Sequence, residues 1–171
     1  MYAGWGGMFQ VPRADYASCM LIKAEGDRYQ GARFITTEPA LEGDVLHRIT
    51  GGLVRKRPTY QTVQIGVDAH LEDPAVLVWV NHSCQPSVIV DTTNMVIVAL
   101  RDMSPGDELT YFYPSTEWNM ARTFACQCGA LQCIRLIAGA RYLSIDTLCR
   151  YFINQHIRDL IAGALAEASA R

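Results

Sequence analysis

The chain has 171 residues, of which half are hydrophobic and 19% charged; that is one domain's length with enough apolar material for a core, and it excludes a disordered regulator. Fifteen Lys and Arg against seventeen Asp and Glu leave a net charge of −2, so there is no basic footprint for a phosphate backbone and no direct nucleic-acid partner is expected. No stretch reaches the roughly 18 uninterrupted apolar residues of a membrane span, and MYAGWGGMFQ lacks the basic start and apolar centre of a signal peptide; the expected location is intracellular, cytoplasmic or nuclear, away from the membrane.

Strand-like runs fill the first two thirds. They are ASCMLIKA at 17–24, ARFITT at 32–37, DVLHRIT at 44–50 and YQTVQIGV at 60–67, punctuated by Gly, Pro and Asp. AVLVWV at 75–80 reads as a buried strand and MVIVALRDM at 95–103 as another, before a turn on Pro105-Gly106 leads into a further strand. Arg55-Lys56-Arg57, followed by Pro58, is expected in a solvated turn. From Ser144 the period changes: Leu148, Phe152, Leu160 and Ile161 recur at helical spacing with Ser144 as N-cap, which predicts one C-terminal helix.

Three motifs carry chemistry. Cys126-x-Cys128-Gly129-x-x-x-Cys133 places three thiols within eight residues, and Gly129 permits the turn that lets sulfurs converge on one ion. The spacing suits zinc rather than disulfides, and a tetrahedral site needs one more ligand. Cys19, Cys84, Cys149, His47, His70, His82 and His156 all qualify on spacing. The second motif, Asn81-His82-Ser83-Cys84-Gln85-Pro86, is a polar segment directly after an apolar run, where sites tend to sit. Alone it would be an ordinary turn. The third, Gly106-Asp107-Glu108-Leu109-Thr110-Tyr111-Phe112-Tyr113, is a turn followed by three consecutive aromatics, which alone would be core and rim.

In this order the motifs resemble the SET domain of protein-lysine methyltransferases with its zinc-binding post-SET segment. NHSCQPS is similar to the family's NHSCxPN, GDELTYFY to GEELTFDY, CQCGALQC to CxCxxxxC, and GARFITTEPALEGDVL to the opening GRGVFATxDIPAGEVI. The resemblance implies a mainly β fold of the SET β-clip type, with short strands in small sheets, a pseudoknot setting the NHSC and ELTYFY segments side by side, and a C-terminal helical segment. It divides the chain into a SET domain at 15–115, a post-SET zinc segment at 116–139 and a helical extension at 140–171. It makes Cys84 the fourth zinc ligand with Cys126, Cys128 and Cys133, leaving Cys19 and Cys149 structural. Tyr113 takes the catalytic position, and Tyr111, two residues earlier, the position that biases the number of methyl groups. S-adenosylmethionine is the implied cofactor, with contacts from Gly31, Arg33, Asn81, His82 and Leu136.

The implied activity is N-methyl transfer to a lysine side chain of a protein or peptide, histones among the candidates. In-line displacement at a sulfonium needs alignment, a neutral amine and exclusion of water more than a strong base. A lysine with a pKa of about 10.4 must first lose a proton, and aromatic walls hold a cation well. Four departures from the family pattern fall on the cofactor side: Arg33 stands for Gly, Ser87 for Asn, Phe112 for Asp, and the pair Ile134-Arg135 for Arg-Gly. They leave a second possibility, a SET-like scaffold with lost or redirected methyl transfer, acting on a small molecule in a biosynthetic pathway or as a non-catalytic binding module.

Overall fold

The computed structural model describes residues 22–25, of these the backbone alone, together with 32–73 and 75–170. In chain order the strands are β1 (Ile22–Glu25), β2 (Arg33–Thr36), β3 (Val45–Arg48), β4 (Leu53–Arg55), β5 (Thr62–Gly66), β6 (Ala69–Glu72), β7 (Asn81–His82), β8 (Val88–Asp91), β9 (Val96–Ala99), β10 (Thr110–Tyr111), β11 (Phe124–Ala125) and β12 (Leu136–Ile137). Single 3-10 turns lie at Leu77–Trp79, Tyr113–Ser115 and Ala140–Tyr142, and two helices, α1 (Ile145–Leu148) and α2 (Gln155–Ser169), end the chain.

Among the described residues the strands form five small sheets. The pairs β1–β2 and β11–β12 are antiparallel, β7–β10 is parallel, and two three-stranded antiparallel sheets run in the orders β3–β9–β8 and β4–β6–β5. This is the mainly β architecture of short strands that the sequence predicts. Leu46, Val80, Val88, Val90, Ile97 and Leu109 are almost wholly removed from water and belong to the main core; each contributes about 1.5–3 kcal/mol by burial. A smaller apolar cluster joins Phe112 to Ala140, Leu148 and Ile157 of the C-terminal segment. No helix among the described residues is long and apolar enough to cross a membrane.

Two expectations are corrected. AVLVWV is not a strand: its centre is the 3-10 turn at Leu77–Trp79, because the Asp73 carboxylate accepts hydrogen bonds from the backbone N–H of Ala75 (3.0 Å) and of Leu77 (3.4 Å) and so curls the chain. The C-terminal helix is two helices. Ser144 does cap α1, its hydroxyl accepting from the Thr147 N–H at 3.2 Å, yet α1 ends after one turn and a separate N-cap, the fully buried Asn154, starts α2. Arg55-Lys56-Arg57 is exposed as expected, with Arg55 ion-paired to Glu72 across the β4–β6 ladder.

Candidate active site and thiol cluster

The parallel pair β7–β10 sets Asn81 against Thr110 and His82 against Tyr111, the side-by-side arrangement expected of the pseudoknot. Ser87 fastens it. Its buried hydroxyl donates to the Glu108 carbonyl (2.8 Å) and accepts from the Thr110 N–H (2.9 Å), while its backbone N–H donates to the Thr110 carbonyl (3.0 Å). The serine that stands for the family's asparagine thus satisfies two partly buried backbone groups of the neighbouring segment.

Of the seven spacing-compatible candidates for a fourth ligand, the fold brings Cys84. The sulfurs of Cys84, Cys126, Cys128 and Cys133 all lie within 4.8 Å of one another, and among the described residues they form the one such group. Cys84 Sγ is 3.9 Å from both Cys126 Sγ and Cys133 Sγ. Zinc–sulfur bonds of about 2.3 Å in a tetrahedron require sulfurs about 3.8 Å apart, so the cluster fits that ion. Gly129 makes the turn at φ +74°. Backbone N–H groups of Ile134 and Arg135 reach Cys84 Sγ (3.5 Å) and Cys133 Sγ (3.4 Å), the support thiolates use. Burial chiefly, with repulsion from its neighbours, drives the Cys84 thiol up. Cys128 goes down to about 6: burial opposes this, but hydrogen bonds from the backbone N–H groups of Ala130 and Cys84 and from Cys126 and Cys133 outweigh it. Cys149 stays outside the cluster as the exposed C-cap of α1, and Cys19 lies outside the described residues.

His82 joins the thiol cluster to the Tyr111–Tyr113 segment. The Tyr113 N–H donates to its Nδ1 at 3.2 Å, which leaves the ring proton on Nε2, 3.3 Å from Cys84 Sγ. Burial lowers its pKa to about 4, so the ring is neutral at ordinary pH.

Tyr111 and Tyr113 lie with ring centroids 4.7 Å apart and line a cavity of about 300 Å³. Tyr113 donates its hydroxyl hydrogen to the Val80 carbonyl at 3.0 Å, leaving oxygen lone pairs as acceptors. Burial raises both tyrosines, with nearby charges adding to it, and both therefore stay protonated. The remaining walls come from β5 and the loop before it, the 3-10 turn at Leu77–Trp79, and the segment from Met120 to Phe124. Phe124 stands edge-on to both His82 and Tyr113.

On the proposed cofactor side, Arg33 opens β2 with its side chain exposed, and Gly31 lies outside the described residues. Asn81 spends its amide N–H groups on the Ala32 carbonyl (3.2 Å) and the Glu108 carboxylate (2.9 Å). Leu136 is 57% exposed on β12, an apolar side chain open to a ligand. Phe112 is buried and stacks on Tyr151 at 3.6 Å between centroids, and the Tyr151 hydroxyl donates to the Cys84 carbonyl at 2.9 Å. That departure is thus a packing partner for the C-terminal segment. Sequence reasoning missed Tyr151 and the buried Glu117, which lines the cavity; a lone acid or tyrosine outside a motif carries no signal.

The sequence profile of the SET domain matches residues 14–114, more than half of the chain. Methyltransferase flvH of Aspergillus flavus is 40% identical over 145 residues, covering 84% of this chain and 80% of that protein. The chain belongs to the SET domain family. As such it is a methyltransferase. Two further SET relatives are the histone-lysine N-methyltransferase ash1 of Drosophila melanogaster, 34% identical over 36% of this chain, and histone-lysine N-methyltransferase 2B of Homo sapiens, 34% identical over 42%. The match spans 3% of the length of each. Among solved structures, KRYPTONITE in complex with mCHG DNA and SAH shares this SET fold with a TM-score of 0.52 and 23% identity, over 64% of this chain and 27% of that one.

Proposed function

We propose that this SET domain methylates the side-chain amine of a lysine carried by a protein or peptide, with S-adenosylmethionine as donor. The observation that carries the reading is the pair Tyr111 and Tyr113 lining one cavity beside the NHSC segment and the thiol cluster. Bound S-adenosylmethionine supplies an electrophilic methyl group on a sulfonium centre. Tyr113 accepts a hydrogen bond from the amine and so orients its lone pair, and Tyr111 limits the room around it. Gly31, Arg33, Asn81, His82 and Leu136 hold the donor, and Cys84, Cys126, Cys128 and Cys133 hold one structural zinc. The apolar side chains of Leu53, Val54, Tyr60 and Val67, on the segment between Gly51 and Asn81, are exposed and available to a polypeptide substrate. The names of the ash1 and 2B relatives favour a histone among such substrates.

A second reading, methylation of a free primary amine of a biosynthetic route, draws on the cavity itself, because about 300 Å³ is the lower range of pockets that enclose whole small molecules. Calorimetry with S-adenosylmethionine comes first, and no binding at millimolar concentration would sink both readings. Mass spectrometry of methyl transfer to a histone H3 peptide and to free lysine then separates them. Tyr113→Phe removes most turnover while leaving fold and donor affinity nearly intact; near-normal rates would move the catalytic role elsewhere.

A further inference from the structure

Glu117 is a buried carboxyl group that no motif accounts for. It follows the 3-10 turn at Tyr113–Ser115, is 4% exposed, and lines the same cavity as Tyr111 and Tyr113. The Gln64 N–H donates to its Oε1 at 2.8 Å, the Thr116 hydroxyl lies 3.3 Å from the same oxygen, and its own backbone N–H donates to the Tyr113 carbonyl at 3.0 Å. The carboxyl is therefore held in one place. A neutral acceptor would serve Gln64 equally well without the penalty of burying an acid.

The titratable groups around it are few. Tyr111, Tyr113, Tyr60 and Arg122 line the same cavity, Glu108 acts on Tyr113 from beside β10, the buried His70 of β6 pairs with Gln64, and His156 of α2 sits behind Thr116, its Nε2 2.9 Å from the Thr116 carbonyl. An amine arriving at neutral pH is an ammonium ion. Neither tyrosine can take its proton: both hydroxyls already carry one, and that of Tyr113 is committed to Val80. Burial pushes Glu117 up to about 7, where a carboxylate both attracts a cation and accepts a proton.

We infer that Glu117 is the group in this cavity that binds the substrate as its ammonium ion and removes the proton, an assignment that rests on the methyl-transfer reading. One N–H bond of the ammonium breaks and an O–H bond forms on Glu117. The nitrogen keeps the bonding pair as the lone pair that methylation requires. The proton then leaves Glu117 for solvent through the cavity mouth, restoring the carboxylate for the next substrate.

The test uses the full chain and n-butylammonium, the lysine side chain without its backbone, with affinity followed by NMR in wild type and Glu117→Gln. The glutamine keeps an acceptor for Gln64, and an unchanged circular dichroism spectrum certifies its fold. Wild type binds the probe about tenfold more tightly at pH 8 than at pH 6, as a group with a pKa near 7 ionises. In Glu117→Gln that dependence is gone and the pH 8 affinity is about tenfold weaker or worse. Should the variant not fold, the wild-type pH series decides alone. A wild-type affinity that is absent or flat from pH 6 to 8, or a folded variant that binds like wild type, overturns the assignment. Probe binding as expected with no methyl transfer to any amine overturns the methyl-transfer reading and upholds Glu117 as the ammonium site.

Discussion

Arg135 holds a backbone conformation that suits glycine: its φ is +65° where the family pattern has Gly, between the last thiol and β12. A side chain in the left-handed region costs about 1–2 kcal/mol, part of which glycine's greater freedom in the unfolded chain offsets. Arg135→Gly therefore stabilises the protein by about 1 kcal/mol, and a lower unfolding temperature in that variant would contradict it. Ser87 acts in the opposite sense. Ser87→Ala strips a partner from two partly buried backbone groups of the β10 segment and costs about 1–2 kcal/mol by denaturant titration. Glu117 adds a pH signature. Its folded pKa of about 7 lies above the ordinary 4.5, so the folded state keeps a proton that the unfolded chain sheds, and this residue's contribution to stability falls as pH rises between those values. The full decline is on the order of 3 kcal/mol. It is measured as the difference between wild type and Glu117→Gln in chemical denaturation at pH 5 and pH 8. Equal pH dependence of the two proteins would refute it.

At the scale of elements, the start of α2 is fastened by its N-cap Asn154, next to the buried His156 and Ile157. Asn154 is completely buried; its Oδ1 accepts from the Thr92 N–H (2.9 Å) and hydroxyl (3.0 Å), and its Nδ2 donates to the Val90 and Ser115 carbonyls (2.9 and 3.0 Å). Asn154→Ala orphans several of these groups at once and costs about 3 kcal/mol or more; a loss below about 1 kcal/mol would mean that water takes over the contacts. The same residue shows why the helix boundary was hidden in the sequence. Its partners lie 39 to 64 positions away, and helical periodicity reports only neighbours within two turns. The Cys126–Cys133 turn was legible locally, by thiols around a positive-φ glycine, whereas the NHSC segment and the ELTYFY strand were legible only through their order along the chain, which carries the family resemblance. The 3-10 turn after Asp73 was not, since AVLVWV has a strand's composition and one upstream carboxylate decides otherwise. Glu117 was invisible for the complementary reason: its meaning depends on β5 folding over it.

For the whole molecule the decisive quantity is the metal. One zinc per chain is expected, contributing on the order of 10 kcal/mol of binding energy to folding, so chelation or Cys126→Ser unfolds much of the protein. Metal analysis well below one per chain, or unchanged stability in that variant, would count against the zinc. The thiol cluster also imposes an order on biosynthesis. Cys84 precedes Cys133 by 49 positions and Tyr151 by 67, and at roughly 5–20 residues per second of translation it spends roughly 2 to 10 s outside or within the ribosome without its last sulfur partner. During that interval it is an ordinary thiol open to oxidation, and the tyrosine that later covers its carbonyl has not been made. A chain not yet extended to Cys133 is therefore expected to leave the Cys84 thiol more open to oxidation than the folded protein does, where Cys84 is buried.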